Sequence, residues 1–301
     1  MAQTIPLEGL KILAATDLSK PADEAIRQAH QWAATWNGEL LICHVIEGPP
    51  RTNPLFPQQN EGDAMAALAW EQRIATEVSE RVMAVTGRRA DQFRILIDSG
   101  SPEAVIVSDA EENAAGLVVI GARGKTPIER LLLGSVAERV IRYAHCSVLI
   151  ARPHAETSHV LASTDLSDPS LPAIIAGAVE ATRRGARLTV VYGVEPWVVA
   201  NAPAETAPVL PDRVREAAER KLREVLAKAQ VDAETLIVSG DSAAAILGAA
   251  ADLKAELVVI GTRGRTGLAR LALGSVAERV VEAADCSVMV VRLGTSEPAS
   301  P

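Results

Sequence analysis

Leu117–Arg152 reads LVVIGARGKTPIERLLLGSVAERVIRYAHCSVLIAR, and Leu257–Arg292 reads LVVIGTRGRTGLARLALGSVAERVVEAADCSVMVVR. Aligned without a gap at a constant offset of 140, the two segments agree at 23 of 36 positions. Chance does not produce such agreement, so the chain contains a duplication. The copies also begin alike, with KILAATDLS at Lys11–Ser19 and HVLASTDLS at His159–Ser167. The offset there is 148, so the first copy holds eight more residues between the two matched segments. The 301 residues therefore divide into two domains of ordinary size, residues 1–152 and 159–293. A polar linker spans 153–158, and a polar tail, 294–301, is expected to be disordered.

Within each copy short apolar runs alternate with helical patterns. In the first copy the strands are Lys11–Thr16, Leu40–Val45, Phe93–Asp98, Leu117–Ile120 and Ser147–Ala151. Ser19 and Pro21 open the first helix, because serine caps and proline suits a first turn. Asp63–Val85, Pro102–Glu112 and Val136–Tyr143 carry the other helices. In the second copy the strands are His159–Ser163, Arg187–Tyr192, Thr235–Val238, Leu257–Ile260 and Ser287–Val291. Five strands alternating with four helices predict an α/β fold, two tandem doubly wound domains, each a five-stranded parallel sheet with helices on both faces. Aromatic residues make up only 3% of the chain, so the cores must be aliphatic, as suits strands buried on both faces. Long proline-containing stretches follow the second strand of each copy, at Glu47–Gly62 and Glu195–Pro211, and read as lids or as disorder.

A net charge of −8 argues against nucleic acid and against anionic membranes as partners. Cys43, Cys146 and Cys286 form no CxxC pair and no zinc spacing, and read as small buried hydrophobes. No secretory leader pattern precedes Leu10 and no apolar run approaches ~20 residues, so a soluble cytoplasmic protein is expected. The five histidines and four tryptophans are not repeated between the copies and read as ordinary surface or core residues.

The chemistry sits after the fourth strand of each copy. Gly121-Ala-Arg-Gly124 is followed nine residues later by Gly134-Ser135, which opens a helix. Gly261-Thr-Arg-Gly264 and Gly274-Ser275 repeat the arrangement. Phosphate oxygens need several N–H donors converging at short range. Glycine lets the backbone approach without a Cβ, and a helix N-terminus adds free N–H groups and a favourable dipole. Ser135 and Ser275 can add a hydroxyl. A plainer reading is available: Ser135-x-x-Glu138 and Ser275-x-x-Glu278 are capping boxes that any helix can carry. The loop is neither a Walker motif nor a dinucleotide fingerprint. Asp17 and Asp165 end the first strands, where ligands of doubly wound sheets sit. There they either accept from an adenine amino group or ribose hydroxyls, or bond their own turn.

At these residues the chain resembles the universal stress protein family in its tandem two-domain form, over nearly its whole length. The pattern Gly-x-x-Gly-x9-Gly-Ser is that of the family's ATP-binding branch, and both copies match it. The resemblance implies strand order 3-2-1-4-5. It implies that Gly121, Gly124, Gly134, Ser135 and Val136 cradle phosphate and ribose in one copy, and Gly261, Gly264, Gly274, Ser275 and Val276 in the other. It places Asp17 and Asp165 at the adenine- and ribose-contacting aspartate. Val45 and, across a one-residue shift, Val194 fall near a backbone contact to adenine. It implies pairing through fifth strands, here within one chain as an intramolecular pseudo-dimer, Val148–Ile150 against Val288–Val290, with a further homodimer left open. The expected function is an ATP-binding stress regulator, with or without Mg2+, that hydrolyses slowly if at all. No metal-holding acid accompanies the glycines, and Glu129 is matched by Ala269. The alternatives are a scaffold or small-molecule sensor that holds no nucleotide, and, more weakly, a true hydrolase.

Overall fold

The computed structural model describes residues 9–46, 60–123, 133–153, 157–195, 210–262 and 273–292. The stretches 47–59 and 196–209, most of the linker, the tail, Gly124 and Gly264 lie outside the described residues. The first copy runs β1 (Lys11–Thr16), α1 (Lys20–Thr35), β2 (Glu39–Ile46), α2 (Asn60–Thr86), β3 (Arg94–Ser99), α3 (Pro102–Glu112), β4 (Leu117–Gly121), α4 (Ser135–Tyr143) and β5 (Ser147–Ala151). The second runs β6 (His159–Ser163), α5 (Leu171–Arg184), β7 (Arg187–Val194), α6 (Asp212–Ala229), β8 (Glu234–Ser239), α7 (Ser242–Asp252), β9 (Leu257–Gly261), α8 (Ser275–Ala283) and β10 (Ser287–Val291).

The chain forms two compact units, and the division runs through α4, between Val140 and Ile141. The first unit carries the parallel order β3-β2-β1-β4. The second carries β8-β7-β6-β9-β10, also parallel, which is the 3-2-1-4-5 order of a doubly wound domain. It also holds β5, which pairs antiparallel with β10: Ile150 faces Val288, Leu149 faces Met289 and Val148 faces Val290. The central strands are apolar along their length, and Ile12, Leu13, Val118, Val119, Leu161 and Val258 are fully buried. Helices cover both faces of such strands, which is why they read as continuous aliphatic runs.

The two copies build their first helix differently. Ser19 caps α1, accepting from the Ala22 N–H at 3.4 Å, with Pro21 in the first turn. In the second copy a 3-10 turn, Asp168–Ser170, comes first and α5 begins only at Leu171. Pro172 explains the delay. A helix begun at Asp168 would need the N–H that Pro172 lacks, whereas in the first turn of α5 that loss costs no bond. α5 ends at Gly185 with φ 62°, a left-handed cap that glycine adopts without strain.

The register locates the eight extra residues of the first copy. Leu41 pairs with Arg94 and Thr189 pairs with Glu234, so the offset changes from 148 to 140 between the second and third strands. The extra length falls in the connection and in α2, which has 27 residues against 18 in α6. Asn60–Gly62, expected in the preceding loop, belong to α2.

Candidate functional site

In each copy the first strand lies between the second and the fourth, all parallel, so the order in which strands are added reverses across its edge with the fourth strand. The crevice at the carboxyl ends beyond that reversal is where doubly wound sheets bind ligands. Asp17, Val45 and Gly121 stand at the carboxyl ends of β1, β2 and β4. Asp165, Val194 and Gly261 stand likewise on β6, β7 and β9.

The Thr-Asp-Leu-Ser turn after the first strand is the same in both copies. Thr16 Oγ1 accepts from the Leu18 N–H at 3.0 Å, and Asp17 Oδ1 from the Ser19 N–H at 3.0 Å. Thr164 and Asp165 repeat these bonds to Leu166 and Ser167, each at 3.0 Å. The two bonds hold the intervening leucine in the left-handed region, φ 64° at Leu18 and 65° at Leu166. Such a conformation costs a leucine ~1 kcal/mol or more and persists where the surroundings impose it. Each aspartate therefore does bond its own turn. One ionised carboxylate offers about four acceptor positions, so that bond leaves capacity for a ligand.

The glycines of the loop have different reasons to be glycine. At Gly121 a Cβ would meet the Pro21 carbonyl oxygen at 2.9 Å and the Arg123 carbonyl oxygen at 3.2 Å. Contact between the end of β4 and the first turn of α1 is enough to require glycine there. At Gly134 the nearest atom to a Cβ would be the Ala122 carbonyl oxygen, 3.5 Å away, and at Gly274 the Thr262 carbonyl oxygen at 3.4 Å. Neither has positive φ. Among the described residues nothing bars a side chain at either position.

Gly134 and Gly274 also close the loop and start the helix. The Gly134 N–H donates to the Ala122 carbonyl at 2.9 Å, and the Gly274 N–H to Thr262 at 3.0 Å, so the loop's two ends meet. Their own carbonyls accept the first helical bonds, from Glu138 at 3.0 Å and Glu278 at 2.9 Å. Glycine is thus the residue before the first turn, and the exposed Ser135 and Ser275 are the first helical residues. The capping box does not form at α8, because the residue in the cap position, Gly274, has no side chain to serve as cap. The first N–H groups of that helix are left for an acceptor from outside.

At the end of the second strand the register corrects the expected alignment. Val45 pairs with Asp98, and Gly193 with Val238, 140 residues later. Val45 therefore matches Gly193 with no shift, and Val194 matches Ile46. The two sites differ here. His44 Nδ1 lies 2.8 Å from the Thr16 carbonyl, to which it donates, lashing β2 to the turn that carries Asp17. Tyr192 takes the place of His44 in the other copy. In the second site Glu195 Oε1 accepts from the Ser242 hydroxyl at 2.6 Å and its N–H at 3.3 Å, and Gly193 gives Ser242 the room it needs. The arginines on α4 and α8 are tied down in both copies, Arg139 to Glu103 and Arg279 to Asp241. Among the described residues no group of three His, Cys, Asp or Glu side chains could hold a metal ion, and no helix is long and apolar enough to cross a membrane.

Cys43, Cys146 and Cys286 are buried and free of disulfides. Burial raises the Cys286 thiol pKa to about 11, and that of Cys43 well above its ordinary range. Neither is a nucleophile at neutral pH.

The family model described as the universal stress protein family matches residues 10–152 and again 156–292. A universal stress protein of Mycobacterium tuberculosis is 30% identical over 303 residues, covering 94% of this chain and 96% of that protein. Another, from Methanocaldococcus jannaschii, is 35% identical over 148 residues, 47% of this chain and 81% of that protein. Among solved structures, a universal stress protein from Archaeoglobus fulgidus superposes with a TM-score of 0.67 at 21% identity, covering 94% of this chain and 98% of that one. The chain belongs to the universal stress protein family, in its tandem two-domain form.

Proposed function

We propose that this universal stress protein binds adenine nucleotide, ATP above all, at the carboxyl edge of each copy's sheet, and acts as a cytoplasmic nucleotide-responsive regulator rather than an efficient enzyme. The observation that carries the reading is the glycine before the phosphate helix. Among the described residues Gly134 and Gly274 meet no clash and no positive φ that would demand glycine, and at α8 the cap residue Gly274 supplies no side-chain cap. Space and N–H donors together suit a phosphate. Asp17 or Asp165 stands across the reversal point from that loop and suits the nucleoside. Ser135, Val136, Ser275 and Val276 offer the N–H groups of the first turn; Val45 and Gly193 offer backbone at the second strand's end. Mg2+ would enter on the phosphates, and ATP supplies negative charge that the loop and helix end neutralise. The β5–β10 pairing supports an intramolecular pseudo-dimer of the two copies.

Gly134→Asp and Gly274→Asp test this. An aspartate there caps the helix, so stability should hold or rise. Its carboxylate takes the N–H groups and repels phosphate, so ATP affinity at that copy should fall at least tenfold by calorimetric titration. Gly121→Ala should instead lower stability, because its Cβ meets backbone. The reading is overturned if the wild-type protein takes up no ATP, as a nucleotide-free scaffold or sensor would not, or if the double Asp variant keeps the wild-type stoichiometry.

A further inference from the structure

Arg152 and Arg292 hold the same place in the repeat, directly after β5 and β10. Each reaches the last turn of the other copy's phosphate helix. Arg152 Nη2 donates to the Val281 carbonyl of α8 at 2.5 Å, and its Nη1 to the Cys286 carbonyl at 3.4 Å. Arg292 Nη2 donates to the Ile141 and Arg142 carbonyls of α4, both at 2.6 Å. The backbones are tied as well. The Arg152 N–H donates to Ser287 Oγ at 3.1 Å and the Arg292 N–H to Ser147 Oγ at 3.3 Å. All these groups lie in the unit that begins at Ile141.

α8 has particular need of this arginine. It is nine residues long, too short to be stable alone. Its last turn carries Glu282 and no basic side chain, the wrong sign for the negative end of a helix dipole. Val281 is among the last four carbonyls, which have no partner within the helix. Arg152, brought from the other copy by the β5–β10 pairing, supplies both the cation and the donor. The other end of the same helix is the uncapped N-terminus beside Gly274.

We propose that Arg152 and Arg292 are reciprocal positioning residues: each fixes the phosphate helix of the opposite copy, so that the nucleotide affinity of each site depends on an arginine from the other copy. This rests on the nucleotide reading above. The sites are read one at a time by silencing the other with Gly124→Val or Gly264→Val, since the motif read as phosphate-binding depends on backbone approach without a Cβ. In the Gly124→Val background, Arg152→Gln should weaken ATP by about threefold to thirtyfold, the range of a charge at a helix end. Arg292→Gln should leave that site unchanged. In the Gly264→Val background the two arginines should exchange roles. Lysine at either position, which keeps the charge but not the fork, should restore part of the loss, while a merely folding-related defect would weaken both sites together. Without nucleotide, Arg152→Gln should speed hydrogen exchange in Ser275–Ala283 more than in Ser135–Tyr143, and Arg292→Gln the reverse. If wild type takes up no ATP, the nucleotide reading falls, and this exchange pattern alone decides whether the arginines position the helices. The proposal is overturned if each arginine affects its own copy, both copies equally, or neither.

Discussion

Asp17 and Asp165 perform a local task that any stand-alone turn would need, and they do so with one oxygen, Oδ1, in both copies. That separates two effects that an alanine would remove together. Asp→Asn keeps an oxygen for the Ser19 or Ser167 N–H but loses the charge. Asp17→Asn and Asp165→Asn should therefore keep the denaturation midpoint, while Asp→Ala should lose about 1 kcal/mol of stability with the turn bond. Both kinds of substitution should weaken ATP by about tenfold to a hundredfold, the worth of a charge-assisted hydrogen bond. They should also shrink the preference for ATP over nucleotides with other bases, since the contact is to the nucleoside. Loss of dependence on phosphate number with base preference intact would make these aspartates phosphate or metal residues instead. The repeat made the aspartates and glycines legible, because a duplicated residue stands out from its surroundings. It could not separate Gly121, held by Pro21, from Gly134, which nothing among the described residues requires. That difference depends on which backbone passes within 3 Å. His44 and Glu195 are not legible from the repeat, because each site uses a different residue there.

Strand positions came through within a residue or two, since a short aliphatic run bounded by polar residues has few other ways to be buried. Helix starts were less legible. Ser135 has the residue type of a cap but stands one position inside the helix, because the Gly134 carbonyl accepts the first helical bond, from the Glu138 N–H. The starkest divergence between copies is on the first helix. Trp32 of α1 and Trp36, the residue that follows that helix, stand where α5 has Glu180 and Arg184, 148 residues on. Glu180 is fully buried and accepts from Arg183 Nε at 2.7 Å and Arg184 Nε at 2.8 Å, while Arg184 reaches Glu256 at 3.3 Å. Burial alone would raise the Glu180 pKa, but the hydrogen bonds and charges of Arg183 and Arg184 prevail and hold it below its ordinary 4.5. A buried cluster of this kind adds little over apolar packing, but removing one partner strands the rest. Glu180→Gln should cost about 3 kcal/mol in urea unfolding at pH 7. Because the folded pKa lies below the unfolded one, the carboxylate's contribution is full above pH 4.5 and is lost as pH falls through the folded value. The gap between wild type and Glu180→Gln should therefore narrow on acidification below pH 4.5. A gap that stays constant to pH 3 would mean the cluster contributes packing and not charge.

The molecule as a whole carries a charge of −8, yet the loops proposed to take phosphate are basic. Between Gly121 and Gly134 stand Arg123, Lys125 and Arg130 against Glu129, three minus one, or +2; between Gly261 and Gly274 stand Arg263, Arg265 and Arg270 with no acid, or +3. An acidic surface repels ATP at long range, so association must rely on local cations, glycine-lined backbone and helix dipoles that act at short range. Affinity should therefore climb from AMP to ADP to ATP at each site, since every added phosphate gains charge opposite the loop. It should fall as salt rises from 0.05 to 0.5 M, when the screening length drops to about 4 Å. The second loop, with the greater net charge, should show the steeper fall. Titrating AMP, ADP and ATP into the Gly124→Val and Gly264→Val proteins at three salt concentrations reads each site alone. Equal affinity for AMP and ATP would mean that the glycine loops do not meet the phosphates, and a salt response steeper at the first site would show that the loop's own charges do not set the binding.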